Sequence, residues 1–255
     1  MTVRLERQGS SLIVHNSTEK RGAITPDLYQ TIAAAMEQAR APDIRCVILT
    51  GGDFFCAGGN LKVLATRAAL APQERRAKIE ILHDVIRAMH ACPVPIIAAV
   101  EGGAAGAGLS LTLACDFIVA SRGAQFTAAY VKAGLTPDGG LTHALSRLLP
   151  RQMAMQLCLI GGAISAEQLH ALGIVFQLSP IGETLGDAHK LAEQLSRGPA
   201  RAQARIRQLL NEAQDTTLSD QLDREAAFMA EAQGDSEAAI GIQAFIEKRK
   251  AEFQL

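Results

Sequence analysis

The sequence predicts an α/β domain that ends in a helical region, and three observations carry that prediction. Short, almost wholly apolar runs recur through the first half, and two of them stop at paired glycines. Segments with helical spacing of apolar residues lie between the runs. From about Ser165 the composition shifts toward Ala, Gln, Glu and Arg, and after one more strand-like piece the pattern stays helical. Alternation of this kind argues for parallel strand pairing. The α/β core is placed in residues 1–195 and the helical region in residues 196–255.

Val3 to Arg7 and Leu12 to His15 read as short strands. Pro26 to Arg40 follows as a helix, with Leu28, Ile32, Ala35, Met36 and Ala39 on one face. Thr25 stands at its N-cap, and Pro26 occupies the first helical position, where its missing N–H costs nothing. Cys46 to Thr50 is a buried strand ending at Gly51-Gly52. Pro72 to Ala91 is a second helix, stopped by Pro93 and Pro95. Ile96 to Val100 reads as a strand, Gly106 to Cys115 as a helix and Phe117 to Ala120 as a strand. Gly173 to Leu178 is the last strand-like piece. Leu185 to Arg197, Pro199 to Ala213, Leu218 to Gln233 and Ser236 to Lys250 complete the chain as amphipathic helices.

Composition excludes several classes of function. Of 255 residues, 48% are hydrophobic and 20% charged, as in an ordinary soluble globular protein with a sizeable core. The formal net charge is -1 with both signs interspersed, so neither nucleic acid nor a membrane surface is an expected partner. Trp is absent, which speaks against a base-stacking platform. The five cysteines are dispersed and form no C-x-x-C pair, so neither a zinc site nor a disulfide framework is expected. No run approaches the ~18 apolar residues of a membrane span, and Met1 to Gln8 lacks a signal-type apolar stretch. A reducing cytoplasm is the expected compartment.

Two glycine-rich turns stand out: Phe54-Phe55-Cys56-Ala57-Gly58-Gly59-Asn60-Leu61-Lys62 and Glu101-Gly102-Gly103-Ala104-Ala105-Gly106-Ala107-Gly108-Leu109. Each follows a buried strand, and the second opens a helix. Small residues let the backbone approach a ligand, and free N–H groups at a helix start face negative charge. The Walker and dinucleotide phosphate patterns are both missing, and Gly108-Leu109-Ser110-Leu111-Thr112 does not match G-x-S-x-G. On these residues alone, close backbone packing without chemistry is the alternative.

Taken together, F-C-A-G-G-N-L, E-G-G-A-A-G-A-G-L, Ala114-Cys115-Asp116, Ala124-Gln125-Phe126 and Gly134-Leu135-Thr136-Pro137-Asp138-Gly139-Gly140 resemble the signature of the crotonase (enoyl-CoA hydratase/isomerase) superfamily. The likeness runs from about Val3 to the C-terminus. It implies a spiral of β-β-α turns with a C-terminal helical region that mediates trimers, which commonly pair into hexamers. It implies an acyl-CoA thioester as substrate and no separate metal or redox cofactor. The family binds the thioester oxygen with two backbone amides, here those of Gly59 and Ala107, the Ala standing where the family usually has Gly. Such donors act where charge builds up on the oxygen. Lys20, Arg21, Ala23, Ala57 and Lys62 match positions that meet CoA, as do Phe245 and Lys248, often from a neighbouring subunit.

Hydratases of the family carry two glutamates as acid and base, and here those positions hold Ser110 and Tyr130. The resemblance therefore turns to Asp138, where some isomerases and dehalogenases of the family keep a catalytic aspartate. Helix capping is the competing role for Asp138. His83 falls where the dehalogenases have a water-activating histidine, although its apolar neighbours Leu82, Val85 and Ile86 suit a helix surface. His143 is a further candidate by proximity. Cys56 and Ser110 are nucleophile types without an evident base. Double-bond isomerisation or hydration of an enoyl-CoA, with Asp138 as acid/base, is the expected reaction. Hydrolysis, ring cleavage or dehalogenation by Asp138 with His83, and acyl-CoA binding without turnover, are the alternatives.

Overall fold

The alternation of strand and helix becomes a spiral in the computed structural model, which describes residues 2–17 and 19–253. Met1 of the predicted core and the last two residues of the predicted helical region lie outside the described residues. The chain begins with β1 (Arg4–Gln8), β2 (Ser11–His15), α1 (Pro26–Gln38) and β3 (Cys46–Thr50). It continues with α2 (Leu61–Thr66), α3 (Pro72–His90), β4 (Ile96–Val100), β5 (Gly103–Ala105), α4 (Ala107–Leu113), β6 (Phe117–Ser121) and β7 (Gln125–Thr127). Then come α5 (Leu141–Leu148), α6 (Arg151–Ile160), β8 (Ala163–Ser165), α7 (Ala166–Ala171) and β9 (Gln177–Ser179). Four helices end it: α8 (Thr184–Ser196), α9 (Ala200–Glu212), α10 (Leu218–Gln233) and α11 (Ser236–Ile246).

Two sheets organise these elements. The larger runs β1-β2-β3-β4-β6-β9, antiparallel at β1–β2 and parallel thereafter. The smaller runs β5-β7-β8. Single parallel bridges, Ile24 with Gly59 and Cys56 with Ala104, continue the smaller sheet's pairing outward. Each turn of the spiral is thus a long strand, a short rung and a helix.

The apolar runs are continuous because the larger sheet is covered on both faces. Leu12, Val14, Val47, Leu49, Ile96 and Ala98 face the main core. Ile13, Cys46, Ile48, Ile97 and Ala99 face Ala188, Leu191 and Ala192 of α8. The register lines up Ile13, Ile48 and Ile97 across three strands. Thr25 caps α1 as read, its side-chain oxygen accepting the Leu28 amide at 3.3 Å.

Two boundaries differ from the sequence reading by more than two residues. The strand expected from Gly173 is displaced to Gln177–Ser179, because Gly173 closes α7 and the amides of Ile174 and Val175 bond back to the Leu169 carbonyl. The last helix stops at Ile246 rather than Lys250, because Lys248 takes φ 54 and Arg249 N bonds back to the Ala244 carbonyl. Among the described residues no helix is long and apolar enough to cross a membrane.

One buried arginine ties the C-terminal helices to the core. Arg207 of α9 is 8% exposed. Its Nε donates to Asp116 Oδ2 at 2.7 Å, and its other nitrogens donate to the carbonyls of Met89, His90 and Cys92, where α3 runs out. Asp116 Oδ2 also accepts the Ile96 amide at 2.8 Å, at the start of β4. Removing one member strands buried polar groups, which costs more than the pair contributes. Arg207→Ala is expected to lower the unfolding free energy by about 3–5 kcal/mol in urea titration.

Candidate active site

The two glycine-rich turns meet through their main chains. Ala105 N donates to Cys56 O at 2.9 Å and Phe55 N to Gly103 O at 3.1 Å. Gly108 is the closest approach: a Cβ there would lie 2.2 Å from Cys56 O. Gly106 takes φ 53 and ψ -127, a conformation that suits glycine, and its own amide bonds Thr127 O in β7. The chain therefore turns sharply into α4 at Ala107. As the first residue of α4, Ala107 has no intrahelical acceptor for its N–H. Its nitrogen lies 3.1 Å from where a Cβ on Gly58 would sit, which puts it beside the Gly58-Gly59 turn. Gly59 is exposed and bridges to Ile24 through its neighbours, with Ile24 N donating to Gly58 O at 2.9 Å. Neither Gly59 nor Ala107 donates its amide to an acceptor among the described residues. Since α4 is seven residues long, what it brings to the site is a free amide rather than a macrodipole.

Against this pair stands a cluster of hydroxyls around one carboxylate. Tyr130 donates its O–H to Asp138 Oδ1 at 2.6 Å. Ser110, 2% exposed, donates to the main-chain carbonyl of Asp138 at 2.9 Å and lies 3.4 Å from the Tyr130 hydroxyl. A Cβ on Gly106 would be 3.9 Å from the Tyr130 ring, so ring and amides share one wall. Gly139 packs against Ser110 and Leu82. Asp138 does not cap the following helix: the N-cap position is Gly140, with no side-chain hydrogen bond.

Burial and the Asp138 charge both push the Tyr130 phenol well above its ordinary range. Tyr29 on α1, which sequence reasoning missed, is pushed up to about 12, first by burial, then by the charge of Asp138 and Cys56, against an opposing effect of Arg67. Its only signal was rarity, for these are the chain's two tyrosines. Burial likewise lifts the Cys56 thiol to about 12, which keeps it protonated and removes it as a nucleophile.

The histidines lie elsewhere. His83 pairs with Glu80 at 3.6 Å and is not joined to Asp138. The residue of α3 that faces Gly139 is Leu82, and successive helical residues diverge by about 100°. His143 pairs with Asp215 at 3.8 Å. Around the CoA-matching segment, Arg21 stacks on the Phe54 ring at 3.9 Å, and Ala57 N donates to Arg21 O at 3.0 Å. Ala23 is half-buried, while Lys20 and Lys62 are exposed. Phe245 is 86% exposed and Lys248 is exposed at the end of α11.

The profile of the enoyl-CoA hydratase/isomerase family matches residues 7–255. The chain belongs to that family. An enoyl-CoA hydratase/isomerase relative, the 1,2-epoxyphenylacetyl-CoA isomerase of Escherichia coli K12, is 35% identical over 96% of this chain and 95% of its own. A solved structure of an enoyl-CoA hydratase from Polaromonas sp. JS666 is 41% identical, covers 99% of both chains and superposes with a TM-score of 0.95. The fold is the crotonase fold, and the chain is an enzyme of this family.

Two outcomes follow from this geometry. Gly108→Ala is expected to separate the turns and to cut turnover by about 100-fold, the scale of losing one oxyanion donor, in steady-state assays. In the unfolded chain Tyr29 loses its proton through its ordinary value of 10.0, whereas the folded protein holds it to about 12. Its contribution to stability is thus complete below pH 10.0 and is lost as pH rises toward about 12. Urea unfolding across that window should show a shallower alkaline decline in Tyr29→Phe than in the wild type.

Proposed function

We propose that the chain is an acyl-CoA isomerase in which Asp138 moves a proton between carbons of an enoyl-CoA. The amides of Gly59 and Ala107 are the proposed oxyanion hole. The observation that carries this reading is the position of the Asp138 carboxylate, bonded to Tyr130 on the wall that the free amide of Ala107 shares. Asp138 takes a proton from the carbon next to the thioester carbonyl of a 3-enoyl-CoA. The electron pair moves onto the thioester oxygen, where the two amides stabilise it as a dienolate. The same carboxyl returns the proton to the far carbon of the former double bond, leaving the 2-enoyl isomer. No redox equivalent and no metal enters this balance, so none is proposed as a cofactor.

Hydration is the less favoured use of the site. It needs a second group to orient and deprotonate water. Ser110 and Tyr130 stand at the positions expected for the two glutamates, and both hydroxyls are engaged with Asp138. Hydrolysis or dehalogenation with His83 lacks the contact it would need, since His83 is paired with Glu80. The isomerase name of the Escherichia coli relative supports the proposed reaction class.

For CoA we propose the edge formed by Lys20, Arg21, Ala23, Ala57 and Lys62. The hydrogen bonds that zip residues 21–24 to 57–59 set this edge beside the amide pair. Phe245 and Lys248 are proposed to serve the site of a neighbouring subunit in a homotrimer or dimer of trimers. Support comes from the exposure of Phe245 together with that of Leu218, Leu222 and Met229 on α10.

Asp138→Asn is expected to abolish conversion of 3-enoyl-CoA to 2-enoyl-CoA while leaving CoA-ester binding intact. The check follows hydration, isomerisation and CoA release in parallel across a thioester panel. Wild-type isomerisation by this variant would overturn the assignment, and a covalent acyl adduct on Asp138 in mass spectra would favour the hydrolytic alternative.

A further inference from the structure

We infer that Tyr130 and Ser110 are positioning residues that hold the Asp138 carboxylate by one oxygen and by its main chain, leaving Oδ2 as the atom that transfers the proton. The inference rests on the proposed role of Asp138. Its geometry is independent of substrate identity.

Asp138 sits in a loop between Gly134 and Gly140, both in the left-handed region, so its backbone lacks a regular ladder. Something outside the loop must fix the carboxylate, because a proton-transfer group left free to swing wastes its approach. Two bonds supply this. The Tyr130 O–H reaches Oδ1 at 2.6 Å, within the range of a charge-assisted bond. Ser110 Oγ bonds the Asp138 carbonyl at 2.9 Å, which pins the main chain to α4 and so to the helix that begins with the Ala107 amide. Carboxylate and oxyanion donor are thereby referenced to one rigid element. Oδ2 has no hydrogen-bond partner among the described residues.

The direction of the Tyr130–Asp138 bond is settled by the surroundings. A phenol that is buried and faces a carboxylate stays protonated and donates. Tyr29 faces the carboxylate from α1 and is also held neutral. Arg67, which follows α2, offsets the effect at Tyr29, and Cys56 stays a thiol. The residues that occupy the two expected glutamate positions are therefore not vestiges. They form the frame of the single carboxylate that replaces them.

The test is Tyr130→Phe, which keeps the ring and removes the bond. The variant's kcat should fall about tenfold or more, with KM for the acyl-CoA unchanged. Ser110→Ala should lower kcat in the same way without moving KM. If Asp138→Asn is inactive while Tyr130→Phe keeps the wild-type kcat, this inference fails and the catalytic assignment stands. If Asp138→Asn retains turnover, the catalytic assignment itself fails.

A second readout does not depend on activity. With no Trp and two Tyr in the chain, tyrosinate absorbance in a Tyr29→Phe background reports Tyr130 alone. Adding Asp138→Asn should let that phenol ionise at lower pH, because the carboxylate that opposes its ionisation is gone. An unchanged titration would overturn the contact, whatever the fate of the Tyr130→Phe variant.

Discussion

The main-chain pairing that joins residues 24, 56–59, 104–106 and 125–127 is the constraint on which the site depends. Neighbouring rungs of a sheet lie about 4.8 Å apart, and that spacing leaves no room for side chains between the two glycine turns. Gly108 against Cys56 O makes the requirement explicit. Once the turns are paired, the Ala105 and Gly106 amides are consumed by Cys56 and Thr127, whereas those of Gly59 and Ala107 are left over. Free amides in otherwise satisfied backbone are costly unless something accepts from them. The fold thus leaves two amide donors open, as the proposed oxyanion hole requires. Because the donors are main-chain groups, Ala at 107 in place of Gly leaves the arrangement intact.

In the proposed mechanism this division of labour lets the acid/base residues change while the oxyanion geometry does not. The amides depend on sheet pairing and turn shape. The proton-moving group depends on which side chain a neighbouring loop presents. In this chain the proposed carboxylate comes from the loop before α5, and the hydroxyls of α4 and of the turn after β7 bond it or its main chain. A wall with one carboxylate and several neutral hydroxyls is less able to activate water than one with two carboxylates. The proposed reaction asks of it only that it carry a proton between two carbons of a bound enolate.

Much of the larger sheet was legible because its strands are continuous apolar runs with glycine stops, and α1, α3 and α8 have clear periodicity. The short rungs β5, β7 and β8 were not. Each is three residues long, too short for a period to show, and Gly103–Ala105 reads as loop because glycine and alanine carry little strand preference. Helices α2, α6 and α7 were also passed over, and α5 entered only as the helix for Asp138 to cap. Residues 61–70 mix apolar and charged residues without a sustained stripe, and most of the side chains there are exposed. Within the proposed site, Gly59, Ala107 and Asp138 were named through motif resemblance. The Tyr130–Asp138 bond joins residues eight apart across an irregular loop, and no spacing rule predicts it. Tyr29 was invisible for a related reason: on α1 it flanks the buried Leu28 and reads as the edge of a packing stripe.

The motifs behind the resemblance also differ in what they do, which the structure separates. Ala114-Cys115-Asp116 belongs to the signature as firmly as the glycine turns, yet Asp116 is spent on the Ile96 amide and Arg207. Glu101, at the head of the second turn, accepts the amides of Gly182 and Thr184 and so fixes the start of α8 over the sheet. Both carboxylates lie at the ends of the strands that carry the site, and both bind amides or an arginine from later in the chain. They anchor the strands from outside, as the backbone rungs do from within. A carboxylate in a signature motif is therefore evidence of chemistry only where it is not committed to holding other elements together. Of these three acids, Asp138 is the one whose carboxylate meets a hydroxyl of the candidate site, that of Tyr130, with the free amide of Ala107 on the wall beside it.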